Sequence, residues 1–264
     1  MNRSRPLNLA GRIGCGTAAL LAAAWFSACS SPQSATPSRP AASSLPAQPA
    51  PATPPAPTAS TPVAPRAEYP FQEMPAWEGT NWMTLFDGQS LDGWRTTPFA
   101  GAGEVMVEKG RMILRMGAML TGVNLVRTND LATQNYELGL DAMKVEGSDF
   151  FCALTFPVGD TCCTFLLGGW GGGVVGISSI NGNDASLNET TKYLNFESGR
   201  WYRVRVRVTP ARLETWIGEQ KMVDVELEDK RISVRPGEIE LSQPWGIATW
   251  QTTGAIRDVR YRKL

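Results

Sequence analysis

Between Tyr136 and Arg262 the chain alternates apolar and polar residues with a period of two, and that pattern decides what it can fold into. Arg203-Val204-Arg205-Val206-Arg207-Val208 is the clearest stretch, and Tyr136-Glu137-Leu138-Gly139-Leu140-Asp141-Ala142 repeats it. Successive side chains of a strand point to opposite faces, so such alternation buries one face of a sheet and leaves the other polar. Further strands are expected at 104–107, 111–116, 124–127, 150–156, 174–179, 212–217, 222–228, 246–250 and 256–262. Turn signals separate them, among them Glu108-Lys109-Gly110, Asn181-Gly182-Asn183-Asp184 and Arg235-Pro236-Gly237. No segment carries a helical repeat of any length. Many short strands at this spacing predict an all-β, antiparallel β-sandwich. The row Arg203, Arg205, Arg207 is expected to be the solvent face of a half-buried strand, with Val204, Val206 and Val208 inside; a ligand clamp is the alternative.

The amino-terminal quarter reads differently. Arg3, Arg5 and Arg12 lead into a 16-residue apolar run at 13–28, short of the roughly 20 residues a membrane span needs. Residues 1–28 therefore read as a signal peptide. Phe26-Ser27-Ala28-Cys29 resembles a bacterial lipobox, with Cys29 as the thiol for a diacylglycerol anchor; an ordinary cleavable signal is the alternative. Ser30 after the cysteine fits sorting to the outer membrane. Residues 29–70 then form a Pro/Ala/Ser-rich linker, with 11 prolines between 30 and 65 and Arg39 as the one charge there. Such a stretch cannot bury enough apolar surface to offset its chain entropy, so a disordered, extended tether is expected. That leaves 71–264 as one folded domain. The expected location is outside the cytoplasm, lipid-anchored in the outer membrane, the periplasm or at the cell surface.

Composition excludes several chemistries. The chain has no histidine, so Ser-His-Asp and Cys-His nucleophile systems and His-ligated metals are ruled out. Its net charge of zero gives no sign of a nucleic-acid partner. That zero is an average: Arg3, Arg5, Arg12 and Arg39 are the only charges before residue 66. Removing those four from the 25 basic side chains leaves 21 against 25 acidic, an acidic folded part of about −4. Three cysteines follow Cys29. Export permits a disulfide, Cys152 with Cys162 or Cys163 across the hairpin at 157–160; buried inert thiols are the alternative.

Some residues carry a resemblance. Trp82-Met83-Thr84-Leu85-Phe86-Asp87-Gly88-Gln89-Ser90-Leu91-Asp92-Gly93-Trp94 resembles the opening signature of the 3-keto-disaccharide hydrolase family. Tyr136-Glu137-Leu138 with Asp141 and Lys144, Glu197 to Tyr202, and Gly246 to Gln251 with Ile256 to Arg260 resemble its later strands. The resemblance implies a concanavalin A-like jelly roll that cleaves 3-keto-glycosides. Within the opening motif, Phe86 and Trp94 are expected to be apolar anchors and Asp87-Gly88 and Asp92-Gly93 tight turns. The family's closing motif carries a histidine where this chain has Thr252-Thr253. Its middle strand carries an acidic Tyr-Glu-x-Gln pattern where this chain runs from Thr164 to Trp170. These departures imply the alternative, a non-catalytic glycan-binding module tethered to the cell envelope; a surface scaffold without a cleft is a third reading.

The family's chemistry suits carboxylates. A ketone at C3 acidifies the hydrogen at C2, a base removes it, the glycosidic oxygen departs from C1, and water adds to the enone. Such a site needs a carboxylate base, an electrophile for the enolate and a platform for the ring. Loop carboxylates Asp149, Asp184 and Glu189 are the catalytic candidates, with Glu104 at the start of an early strand; the plain reading of each is a solvated carboxylate. No cofactor is expected, although the hard oxygens of Asn181-Gly182-Asn183-Asp184 leave calcium open beside a type I′ turn. The folded part has eight tryptophans, Trp77, Trp82, Trp94, Trp170, Trp201, Trp216, Trp245 and Trp250. Indole faces stack on the C–H faces of sugar rings, and Trp170, set in a run of five glycines, is the leading candidate. No Walker Lys-Ser/Thr follows that run, so it is not a phosphate cradle. Trp245, Trp250 and Gln251 are expected to border the same cleft. The partners expected are a carbohydrate and, through the anchor, a bacterial membrane.

Overall fold

The computed structural model describes residues 72–264. The signal peptide, Cys29 and the linker at 29–70 lie outside the described residues. In chain order the strands are β1 (Met83–Thr84), β2 (Trp94–Thr96), β3 (Val105–Glu108), β4 (Arg111–Leu114), β5 (Leu120–Leu125), β6 (Tyr136–Gly147), β7 (Cys152–Val158) and β8 (Thr161–Gly168). There follow β9 (Val174–Ser178), β10 (Lys192–Tyr193), β11 (Trp201–Val208), β12 (Arg212–Ile217), β13 (Gln220–Glu226), β14 (Gly246–Trp250) and β15 (Thr252–Lys263). They form two antiparallel sheets, the sandwich that the alternation predicts and the jelly roll that the resemblance implies. The first has the order β13-β12-β11-β6-β15-β4-β3, with β1 also pairing β15; the second has the order β10-β9-β8-β7-β14-β5-β2.

The core lies between the sheets. Val204, Val206 and Val208 of β11 are fully buried, as the alternation requires. From the second sheet Leu154, Phe156, Phe165, Leu167 and Ile177 meet them. Full burial of such side chains contributes on the order of 1.5–3 kcal/mol each. The opening motif is architectural. Gly88 (φ 78°) and Gly93 (φ 83°) take the left-handed turns, Phe86 and Trp94 are buried, and the Trp94 indole N–H donates to the Leu85 carbonyl.

Two expectations are corrected. First, the proposed disulfide does not form: all three thiols are free and buried. The tight turn between Val158 and Thr161 sets the register, with Cys152 opposite Leu167, Cys162 opposite Pro157 and Cys163 opposite Phe156. Five residues of strand separate Cys152 from the Cys162 row and four from the Cys163 row, roughly 17 and 14 Å, whereas a disulfide needs Cα atoms within about 7 Å. Burial pushes the Cys152 thiol up to about 12 and raises Cys163 well above its ordinary value.

Second, the arginines of β11 do not face open water. Beside them on the same face stand Glu137 and Asp141 of β6, 0% and 1% exposed. Arg205, Arg207 and Arg262 close on Glu137, while Arg203 and Arg257 close on Asp141. Carboxylates this deep persist only when several donors satisfy them. Indoles complete the cover: Trp216 lies on Arg205, Trp201 on Arg257, Trp77 on Arg203 and Trp82 on Arg262. Trp77 and Trp82 belong to the segment 72–82, which crosses this face.

Candidate functional site

The opposite, outer face of the second sheet is closed. Register places Gly122, Ala153, Leu166, Gly176, Gly246 and Ala248 on it. Their small size admits the segments that run over them. A side chain on Gly246 would meet the Ser242 carbonyl at 2.3 Å, and one on Gly176 would meet Thr190 at 3.0 Å. Asn124 fastens this cover through its amide to the carbonyls of Leu241 and Gln243. The threonines at the family's altered positions belong to the same framework. Thr164 bonds Thr155, Thr252 accepts the Asp149 N–H, and Thr253 accepts the Met116 N–H. The rim at the end of β8 is exposed.

There the chain turns through Gly169–Gly172 before β9. Gly168, Gly171 and Gly172 have φ of 84°, 86° and 105°, and Trp170 shares the left-handed region at 49°. That region is costly for a bulky side chain and persists only where neighbours enforce it. Asp149 is the enforcer. Its Oδ2 accepts the Gly171 N–H at 3.1 Å, its Oδ1 accepts the Phe150 N–H at 2.8 Å, and its own N–H is held by Thr252. Trp170 is thereby presented 45% exposed. The Arg235 guanidinium stands 5.8 Å from the Trp170 ring centre, and its Nη1 lies 3.8 Å from Asp184 Oδ2. Asp184 Oδ1 is taken by the Ser186 N–H and hydroxyl. Tyr193, 75% exposed, begins beside Gly173 on the same edge.

The predicted residues thus divide. Asp149 and Asp184 come to the Trp170 turn, one through the Gly171 N–H and the other through Arg235. Glu189 does not; it pairs with Lys230 at 2.5 Å. Glu104 pairs with Arg115. Trp250 is half-buried against Phe150, beside the Asp149 strand entry, with its backbone N–H donating to the Phe150 carbonyl. Gln251 is exposed, but its side-chain amide is held by the Ala118 carbonyl. Trp245 is corrected: it is 4% exposed and packs between Tyr136 and Tyr261 in the core, so it touches no ligand. Of the side-chain oxygens expected to leave calcium open, those of Asn181 and Asp184 are engaged within the protein. Asn181 Oδ1 accepts the Arg231 N–H, and Asn181 (φ 54°) with Gly182 (φ 83°) makes the type I′ turn. Arg235 was not foreseen. It sits in a turn signal 51 positions from Asp184, and only its charge distinguishes it.

The structure is a two-sheet antiparallel β-sandwich with an exposed indole at one rim. Residues 81–264 match the 3-keto-alpha-glucoside-1,2-lyase-like domain, and the chain belongs to that family. A search of curated proteins returns no match. Among solved structures the fold is similar to the β-glucanase of Bacillus licheniformis, at 11% identity over 70% of this chain and 99% of that one, TM-score 0.45. It is also similar to a carbohydrate-binding module of Bacillus subtilis, at 12% identity over 65% and 96%, TM-score 0.43. A glycosyl hydrolase family protein of Mycobacterium fortuitum gives 10% identity over 69% and 98%, TM-score 0.43. Likenesses this distant identify no site residue.

Proposed function

We propose that the domain binds a glycan outside the cytoplasm, tethered through a lipid on Cys29, and that the sugar ring docks on Trp170. The observation that carries this is the forced exposure of Trp170, whose left-handed backbone is held by Asp149 while Arg235 and Asp184 border its ring. Exposed indoles give large contact area at low entropic cost. A guanidinium–carboxylate pair beside the ring supplies the donors and acceptors that sugar hydroxyls need. Engagement of the carboxylates favours binding over catalysis. Asp149 spends both oxygens on backbone N–H groups, Asp184 one on Ser186, and Glu189 stands apart with Lys230.

A second reading, cleavage of 3-keto-glycosides, is favoured by family membership. In it Asp184 Oδ2 removes the C2 proton, Arg235 steadies the enolate oxygen at C3, and Trp170 carries the ring. One experiment separates the two: incubation of the purified protein with 3-keto-lactose and 3-keto-trehalose, with lactose and trehalose as controls. Saturable binding lost in Trp170→Ala, without monosaccharide release, supports the first reading. Release that is lost in Asp184→Asn establishes the second. Neither binding nor release refutes both. Anchoring is tested separately, because a Cys29→Ser protein that still takes up radioactive palmitate is not a lipoprotein of this kind.

A further inference from the structure

We propose that the ligand of the Trp170 rim is a linear, ribbon-like glycan of four or more β-1,4-linked rings, laid across the strand ends of the second sheet; this rests on the glycan-binding reading of that rim. The sheet's register brings four aromatic side chains to one end. Tyr193 of β10 stands opposite Val174 of β9, and Gly169, directly after β8, bridges to the same Val174. Cys152 opposite Leu167 puts Phe150, just before β7, level with Gly169 and the Trp170 turn. On the next strand the Trp250 backbone N–H donates to the Phe150 carbonyl, and Trp250 stands opposite Leu120 of β5. Tyr193, Trp170, Phe150 and Trp250 thus follow the strand order β10-β9-β8-β7-β14.

The row also lies on one face. Phe150 and Trp250, half-buried with ring centres 6.3 Å apart, pack with the outer-face residues Ala153, Leu166 and Ala248. Val174, opposite Tyr193, joins the same cluster. Trp170 and Tyr193 continue the row into solvent, and Gly173 between them has no side chain to interrupt it; the Tyr193 ring comes within 4.0 Å of where one would begin. Adjacent strands lie about 4.7–4.9 Å apart, so the four spacings from β10 to β14 make the row roughly 19 Å long. A pyranose joined through equatorial bonds at C1 and C4 advances by nearly one strand spacing and turns an apolar C–H face to each side. A straight row of that length therefore takes four such rings, whereas an axial linkage coils the chain off it. A disaccharide would cover Trp170 and one neighbour and leave the other rings in water. Arg235 with Asp184 beside Trp170, and exposed Gln251 after Trp250, supply polar contacts along the way.

The test is titration calorimetry of the full-length protein with cello-, xylo- and chito-oligosaccharides of two to six rings, and with malto-oligosaccharides as the axially linked control. Affinity for at least one β-1,4-linked series is expected to rise at least tenfold between two and four rings, because each added contact is made within one complex, and to level off by six. Trp170→Ala weakens every length at least tenfold. Tyr193→Ala, at an exposed position that the fold does not need, lowers the ratio of four-ring to two-ring affinity at least fivefold, and Trp250→Ala does the same. Trp82→Ala, on the other sheet, leaves the series within twofold. The proposal is overturned if none of the three series binds, if affinity stops rising at two rings, if the malto series matches, or if Tyr193→Ala keeps the full dependence on length. The glycan-binding reading is judged separately: Trp170-dependent binding of lactose, trehalose or their 3-keto forms upholds it through any of these outcomes, and it falls with the proposal if no sugar binds.

Discussion

Replacing Glu137 by glutamine tests whether the polar face of the first sheet is held by charge or merely decorated with it. The carboxylate is 0% exposed. Its Oε1 receives Arg207 Nε at 2.7 Å and Arg205 Nη1 at 3.3 Å, and its Oε2 receives Arg262 Nε at 2.6 Å. Glutamine keeps the volume and one acceptor but turns the other oxygen into a donor facing a guanidinium. Removing one partner from a buried ion pair costs about 3–5 kcal/mol. Here the arginine side chains are 15–34% exposed, so water recovers part of their solvation and the expected loss is about 2–4 kcal/mol. At roughly 2–4 °C per kcal/mol for a domain of this size, a loss of about 3 kcal/mol lowers Tm by about 6–12 °C. Urea unfolding followed by tryptophan fluorescence, with unchanged slope, gives the loss directly. The cycle with Arg262→Gln should show coupling above about 1 kcal/mol, because the two groups touch. A loss below about 1 kcal/mol, or one abolished by 0.5 M salt, refutes the claim that these charges hold the face.

Other substitutions probe the rest of the molecule. In Gly139→Ala the new methyl would lie 2.3 Å from the Trp77 ring. It displaces Trp77 from Asp258 and Arg203, and the protein should lose about 1–3 kcal/mol net of the strand's gain from losing a glycine; a red shift in fluorescence reports the displaced ring, and an unchanged spectrum speaks against the contact. Asp149→Ala frees the Gly171 N–H, so Trp170 relaxes from its left-handed conformation; glycan affinity should fall at least tenfold, about 1.4 kcal/mol, as in Trp170→Ala, and an unaltered affinity disproves the enforcing role. Alkali should destabilise the fold. Burial holds Cys152 near 12 against an unfolded value near 9.0, and Cys163 also well above 9.0. The folded state therefore keeps protons that the unfolded state has released, and the stability present below about pH 9 is lost as pH rises toward 12. Each thiol contributes about 1.4 kcal/mol per pH unit, so Cys152→Ala should make the decline measurably shallower between pH 9.5 and 11.

How much of this was legible depends on whether a residue's surroundings are local. The alternation located β11 within two residues, because its inward face is apolar and its outward face charged, and β14 is found at the expected 246–250 although it too is buried on both faces. It misplaced β5, expected at 124–127 and found at Leu120–Leu125. All six residues of β5 are buried, one face by the core and the other by the turn at 238–242, and a strand covered twice has no alternation to display. The same double cover hides the charged face: nothing adjacent to Glu137 or Asp141 reveals that a segment some 60 residues upstream lies over them. Trp170 and Trp245 are the same residue type with opposite fates. The glycines around Trp170 are a local signal of exposure, whereas the burial of Trp245 against Tyr136 and Tyr261 follows only from β7 and β14 being neighbours opposite β6 and β15. Arg235 marks the limit, since its charge is visible in sequence but its meeting with Trp170 and Asp184 is a property of the sheet order alone.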